Sequence, residues 1–158
     1  VYSEKDRGTT FRIYLPRYLE KKGIVDGESQ IEIAQGKGET ILIVEDDLDV
    51  IEMVRLMLEQ LGYRVLAANT PSEALLLAKI HIYNIHLLLT DVVMPEMNGR
   101  DLAYEIKIIN PDIKILFMSG YIANFTSNGR FSDQEVNLLQ KPFSLKELSV
   151  NVRNILEK

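Results

Sequence analysis

An apolar run, Leu87-Leu88-Leu89, passes through Thr90 into a single carboxylate, Asp91, and a loop bearing Pro95 and Gly99 follows at once. A short apolar run bounded by turn signals suits a strand buried on both faces. Asp91 then stands where that strand leaves the core. Taken alone, such an Asp is equally well a helix cap or a loop residue. A second run of the same kind, Ile41-Leu42-Ile43-Val44, ends in Glu45-Asp46-Asp47. Two buried strands that both end in acids point to one shared site.

From Thr40 onward the pattern is regular. The strand at 41–44 precedes a helix to about Leu61, with Ile51, Val54, Met57, Leu58 and Leu61 on one face and Gly62 suited to its C-terminal cap. Arg64 to Ala68 reads as a second strand. Thr70-Pro71-Ser72-Glu73 is a capping-box pattern with Pro at the first helical position, opening a helix to about Ile80. The strand ending at Asp91 is the third. Gly99 to Ile109 reads as a helix stopped by Asn110-Pro111-Asp112, and Ile113 to Met118 as a fourth strand ending in Ser119-Gly120. Residues 121–134 are poor in helix formers, so a helix there is expected to be short, irregular or mobile. Val136 to Leu139 is the fifth strand and runs to Gln140-Lys141-Pro142-Phe143; Ser144-Leu145-Lys146-Glu147 then opens the last helix with a second capping box. This alternation predicts an α/β fold, a doubly wound five-stranded parallel sheet with helices on both faces. In such sheets the working site lies at the carboxyl ends of the strands. Asp46, Asp91, Ser119 and Lys141 all sit just past strand ends and are expected to converge.

The chemistry is bounded by what the chain lacks. It has no cysteine, which excludes disulfides, thiolate metal sites and a Cys nucleophile, and only His81 and His86, too few for a His-based zinc site. Both histidines are expected at the surface or a strand edge. No apolar run approaches the roughly 18 residues of a membrane span, and no membrane contact by this fragment is expected. The expected location is cytoplasmic, with membrane attachment of a parent protein left open. Residues 1–38 hold seven Lys/Arg against six Asp/Glu, and residues 39–158 eleven against seventeen. The larger part is acidic, which argues against nucleic acid as its main partner and favours a metal cation or a basic protein surface. Carboxylates packed within about 4 Å repel by roughly 4 kcal/mol per pair at an effective dielectric near 20, so they stay ionised together only around a cation. All-oxygen ligation points to Mg²⁺. A lysine and a small hydroxyl beside such a centre suit an incoming phosphoryl group attacked by a carboxylate oxygen. Asp47 reads as a solvated acid at a helix start, and Met94 and Met97 as loop packing.

The pieces Ile43-Val44-Glu45-Asp46-Asp47, Thr90-Asp91-Val92-Val93-Met94-Pro95-Glu96-Met97-Asn98-Gly99, Met118-Ser119-Gly120 and Gln140-Lys141-Pro142-Phe143 occur in that order. Together they resemble the receiver (response-regulator) domain of two-component signalling over residues 40–157. The resemblance implies a flavodoxin-like sheet of strand order 2-1-3-4-5. It implies Asp91 as phosphoacceptor, Glu45 and Asp46 as the acidic pair at Mg²⁺, Val93 lending a backbone carbonyl to the ion, and Ser119 and Lys141 on the phosphoryl oxygens. The Lys141-Pro142 bond is a candidate cis peptide. Many receivers carry an aromatic three positions before this lysine; here the position is Leu138, so a signal passed by ordering 121–134 is expected instead.

The N-terminal part reads differently. Thr10 to Leu15 has β-branched and aromatic residues in near alternation, closed by Pro16, and no obvious partner strand. Arg7-Gly8-Thr9-Thr10-Phe11-Arg12-Ile13-Tyr14-Leu15-Pro16 resembles the closing strand of the ATP-binding domain of sensor histidine kinases, whose nucleotide-binding motifs are absent from this chain. Residues 19–39, charged and Gly-rich, read as a linker. The chain is therefore expected to be the C-terminal part of a hybrid sensor histidine kinase: a kinase remnant at 1–18, a linker at 19–39 and a receiver at 40–158. The receiver is expected to catalyse only its own Mg²⁺-dependent phosphorylation and dephosphorylation, with a histidine kinase or histidine phosphotransfer domain as partner. A stand-alone response regulator, a receiver-like module that never takes phosphate, and a haloacid-dehalogenase-like hydrolase are the rivals. The last would want an Asp where Val93 stands.

Overall fold

A computed structural model of the chain describes residues 2–4, 8–12, 14, 34–120 and 137–158. The chain divides into two units, Val1–Ile31 and Glu32–Lys158. In the first, β1 (Tyr2–Glu4) pairs antiparallel with β2 (Gly8–Thr10), Tyr2 opposite Thr10 and Glu4 opposite Gly8. This corrects the strand expected over 10–15. Alternation gives a propensity, but a strand is defined by its ladder, and the register joins β2 to β1 over Gly8–Thr10. Phe11, Arg12 and Tyr14 lie outside the strand, while residues 13 and 15 fall outside the described residues.

The second unit is built as its pattern predicts. It runs β3 (Thr40–Val44), α1 (Leu48–Gln60), β4 (Arg64–Ala68), α2 (Pro71–Ile80), β5 (Ile85–Asp91), α3 (Gly99–Ile109), β6 (Lys114–Ser119), β7 (Leu138–Gln140) and α4 (Leu145–Leu156). All four pairings are parallel, in the order β4-β3-β5-β6-β7. Counted from β3, that is 2-1-3-4-5. The expected weak segment at 121–134 lies outside the described residues.

Each helix begins where a side chain satisfies free N–H groups. Asp47 caps α1, its Oδ1 accepting from Asp49 N at 2.9 Å, so the solvated helix-start acid is a cap. Thr70 caps α2 by accepting from Glu73 N at 3.2 Å. The reciprocal bond of a capping box goes one residue further back, from Asn69 N to Glu73 Oε2. Asn98 caps α3, and Ser144 with Glu147 forms a complete box at α4. At the end of α1, Gly62 takes φ +84° while Gly62 N–H reaches Glu59 O and Tyr63 N–H reaches Leu58 O, a Schellman closure.

Strand alternation sends neighbouring side chains to opposite faces. Leu42, Val44, Leu88, Ile115 and Phe117 pack with Ala74 and Ala78 of α2 and Leu102 and Ile106 of α3. Ile41, Ile43, Leu87, Leu89, Leu116 and Met118 pack with Val54 and Leu58 of α1 and Leu148 and Val152 of α4. Leu138 and Met97 join the first cluster as half-buried members, and Met94 is buried in it. The β3–β5 register shifts between Thr40 and Ile41. His86 sits at that irregularity, exposed, its Nδ1 accepting from Thr40 N–H at 3.1 Å. Residues 34–39 of the expected linker lie against this unit. Ala34 O accepts from the buried Ser149 hydroxyl at 3.0 Å, Gly36 N–H reaches Leu61 O, and Glu39 pairs with Arg153 at 2.8 Å.

Candidate functional site

The carboxyl ends of β3, β5, β6 and β7 carry the expected residues. Glu45 and Asp46 directly follow β3, Asp91 closes β5, Ser119 closes β6, and Lys141 directly follows β7. Burial separates them: Glu45 is 4% exposed, Asp91 8% and Ser119 3%, whereas Asp46 is open to solvent. Carboxylate oxygens of Glu45, Asp46 and Asp91 all lie within 4.8 Å of one another. At that spacing each ionised pair repels by about 3–4 kcal/mol at an effective dielectric near 20.

Lys141 answers part of this repulsion. Its Nζ lies 2.5 Å from Glu45 Oε2 and 2.8 Å from Asp91 Oδ1. Burial by itself would lower the lysine pKa; the hydrogen bonds to Asp91 and Glu45, helped by both charges, outweigh it and hold the ammonium above its ordinary 10.5. Burial pushes the Glu45 carboxyl up, with the charges of Asp91 and Asp46 adding to it and Lys141 opposing. Three carboxylates and one ammonium leave two formal negative charges at one spot. The donors are all oxygens and one side is open, so the set fits a small hard divalent cation.

The backbone completes the geometry. The Val93 N–H donates to Asp91 Oδ2 at 3.0 Å, while Lys141 holds Oδ1, so the two carboxylate oxygens have different partners. The Val93 side chain is 62% exposed. Lys141 N–H reaches Ser119 O at 2.8 Å, fastening the ends of β6 and β7 together, and the Lys141-Pro142 bond is cis.

Two residues here carry no role in the sequence reading. A Cβ on Gly99 would lie 1.9 Å from the Asp91 carbonyl oxygen, so only glycine lets α3 start this close to the end of β5. Thr90, fully buried, donates its hydroxyl to that same carbonyl at 2.9 Å. The signal for Gly99 was present: a glycine at the first helical position, directly after a capping Asn, marks a close backbone approach. For Thr90 the sequence holds no such signal, since a β-branched residue in a strand is ordinary.

Comparison with known proteins agrees with this geometry. The response regulator receiver domain family model matches residues 41–153. The sensor kinase CckA of Brucella abortus (strain 2308) is 39% identical over 165 residues, covering 99% of this chain and 17% of that protein. The chain thus spans about one sixth of that relative's length. The response regulator receiver protein CpdR of the same organism is 34% identical over 116 residues, 73% of this chain and 95% of CpdR. Among solved structures, the receiver domain from hybrid histidine kinase CckA superposes with a TM-score of 0.62 at 32% identity, covering 74% of this chain and 98% of that one. A response regulator receiver domain protein from Clostridium thermocellum gives 0.65 at 25% identity, over 75% and 94%. Through the sheet order, the convergence of its acids and these matches, the chain belongs to the response regulator receiver domain family.

Proposed function

We propose that Asp91 accepts a phosphoryl group from a phosphohistidine, and that this unit is the receiver of a hybrid sensor histidine kinase. The observation that carries the reading is the Lys141 ammonium bridging Glu45 and Asp91, with Asp46 within 4.8 Å. An Asp91 carboxylate oxygen attacks phosphorus, the P–N bond of the donor breaks, and its electron pair returns to the imidazole. Lys141 neutralises charge that grows on the phosphoryl oxygens. Ser119, at the end of β6, offers a hydroxyl donor to the same oxygens. Val93 N–H holds one carboxylate oxygen and so orients the other. Glu45, Asp46, Asp91 and the Val93 carbonyl would hold Mg²⁺, which supplies further neutralisation of the transferring group. The partner is a histidine kinase or a histidine phosphotransfer domain. The added charge then biases a surface read by another protein or passes to a further histidine.

The hybrid-kinase setting is supported by the match to a sensor kinase, which extends over 99% of the chain and so through residues preceding the receiver. On this reading β1 and β2 belong to the closing strands of the kinase ATP-binding domain. The test is phosphorylation by acetyl phosphate with and without Mg²⁺, read by intact mass. The wild type should gain one phosphoryl group only with Mg²⁺, and Asp91→Asn none. Incorporation into Asp91→Asn, or none into the wild type, overturns the assignment.

A further inference from the structure

At the end of β5 two groups, one from the strand and one from the start of α3, meet at one atom, the Asp91 carbonyl oxygen. The Thr90 hydroxyl donates to it at 2.9 Å. The Gly99 Cα presses on it from the start of α3, where an added Cβ would sit 1.9 Å away and 3.0 Å from Thr90 Oγ1. Gly99 N–H is itself bonded to Val92 O at 3.0 Å, and Val92 N–H to Met118 O at 3.1 Å. The peptide linking Asp91 to Val92 is therefore held on both sides. Two residues on, Val93 N–H points at Asp91 Oδ2 at 3.0 Å, leaving Oδ1 to Lys141. That direction depends on the tilt of the peptides between them.

The geometry points to Thr90 as a positioning residue for Asp91: its buried hydroxyl fixes the peptide that aims the Val93 N–H, and through it the carboxylate. The inference rests on the reading of Asp91 as phosphoacceptor. A buried hydroxyl needs a bonded partner, and valine would supply the shape of threonine without the donor. The Asp91 carbonyl would then lose this donor in a site too crowded by Gly99 for another group to enter. The peptide tilts to find one, and the carboxylate turns with it. Small misplacements of a reacting group cost rate far more than they cost binding.

The experiment compares wild type, Thr90→Val, Thr90→Ser and Thr90→Ala for the rate of acetyl phosphate-driven phosphorylation at saturating donor and Mg²⁺, and for the Val93 amide resonance without donor. Thr90→Val should be slower by about tenfold and should displace the Val93 amide resonance. Thr90→Ser, which keeps the donor, should recover the rate to within about twofold. Thr90→Ala should displace the amide resonance in the same direction as Val, which covers the case of a Val variant that does not fold. A Val variant that phosphorylates at the wild-type rate with an unmoved Val93 amide overturns the inference, as does a Ser variant as slow as Val. If the wild type takes no phosphate while the amide still responds to Thr90→Val, the phosphoacceptor reading fails and the positioning contact stands.

Discussion

At the scale of single residues, the site is an electrostatic compromise. Lys141 is the described cation that touches two of the three clustered carboxylates, so Lys141→Met should leave Glu45 buried beside like charges. Removing one partner of a fully buried pair costs about 3–5 kcal/mol; with Lys141 about a quarter exposed, about 1–3 kcal/mol is expected. A divalent cation would replace the missing charge, so Mg²⁺ should recover more stability in Lys141→Met than in the wild type. Urea denaturation of both proteins with and without Mg²⁺ checks this, and equal recovery would count against the cation site. Gly99 makes a steric prediction instead. Gly99→Ala places a Cβ 1.9 Å from backbone oxygen, which no side-chain rotation relieves. A loss of about 1–3 kcal/mol or more is expected, with slowed phosphorylation, measured by thermal melting and by phosphoryl incorporation.

At the scale of elements, helix ends carry much of the local specification. Asp47, Thr70, Asn98 and Ser144 each cap a helix. The capping boxes at Thr70 and Ser144 are read from the sequence, where Asp47 reads only as a solvated acid at a helix start and Asn98 is given no capping role. Gly62 closes α1 at φ +84°, where a side chain meets the strain of the left-handed region. Gly62→Ala should therefore destabilise the unit by about 1–2 kcal/mol without altering the phosphorylation rate, as a denaturation midpoint and a rate measurement together would show. The strand of the N-terminal unit shows the limit of local pattern. Thr9 and Thr10 enter β2, but Phe11 and Arg12, equally strand-like by composition, do not, so alternation alone does not place the strand.

At the scale of the whole molecule, residues 34–39 are part of the packed unit, and the pair Glu39–Arg153 ties them to α4. Burial alone would raise the Glu39 carboxyl; the hydrogen bond and charge of Arg153, with backbone N–H donors, prevail and hold it below the ordinary 4.5. A carboxyl depressed on folding contributes stability above its unfolded value, and that contribution is lost as pH falls through the folded value. The stability difference between wild type and Glu39→Gln should be greatest near neutrality and shrink as pH drops below about 4.5. Denaturation midpoints of both proteins from pH 7 to pH 3 test this, and a difference that grows on acidification would contradict the pairing.

In the second unit the strand and helix order among the described residues and the strand-end positions of Asp46, Asp91, Ser119 and Lys141 were legible in the residues alone. Period and strand-end position are local properties of the chain, whereas the role of Glu45 came with the receiver resemblance. The packing of 34–39 was not, because a Gly- and charge-rich segment reads as a linker until Ser149 and Arg153, more than a hundred positions away, are brought beside it. Nor were the roles of Thr90 and Gly99. Each is an ordinary residue in its own element, and its meaning comes from the close approach of α3 to the end of β5. Sequence determined which side chains the site holds; tertiary contact decided how the backbone beneath them is held, since that depends on distances between segments that no local pattern encodes.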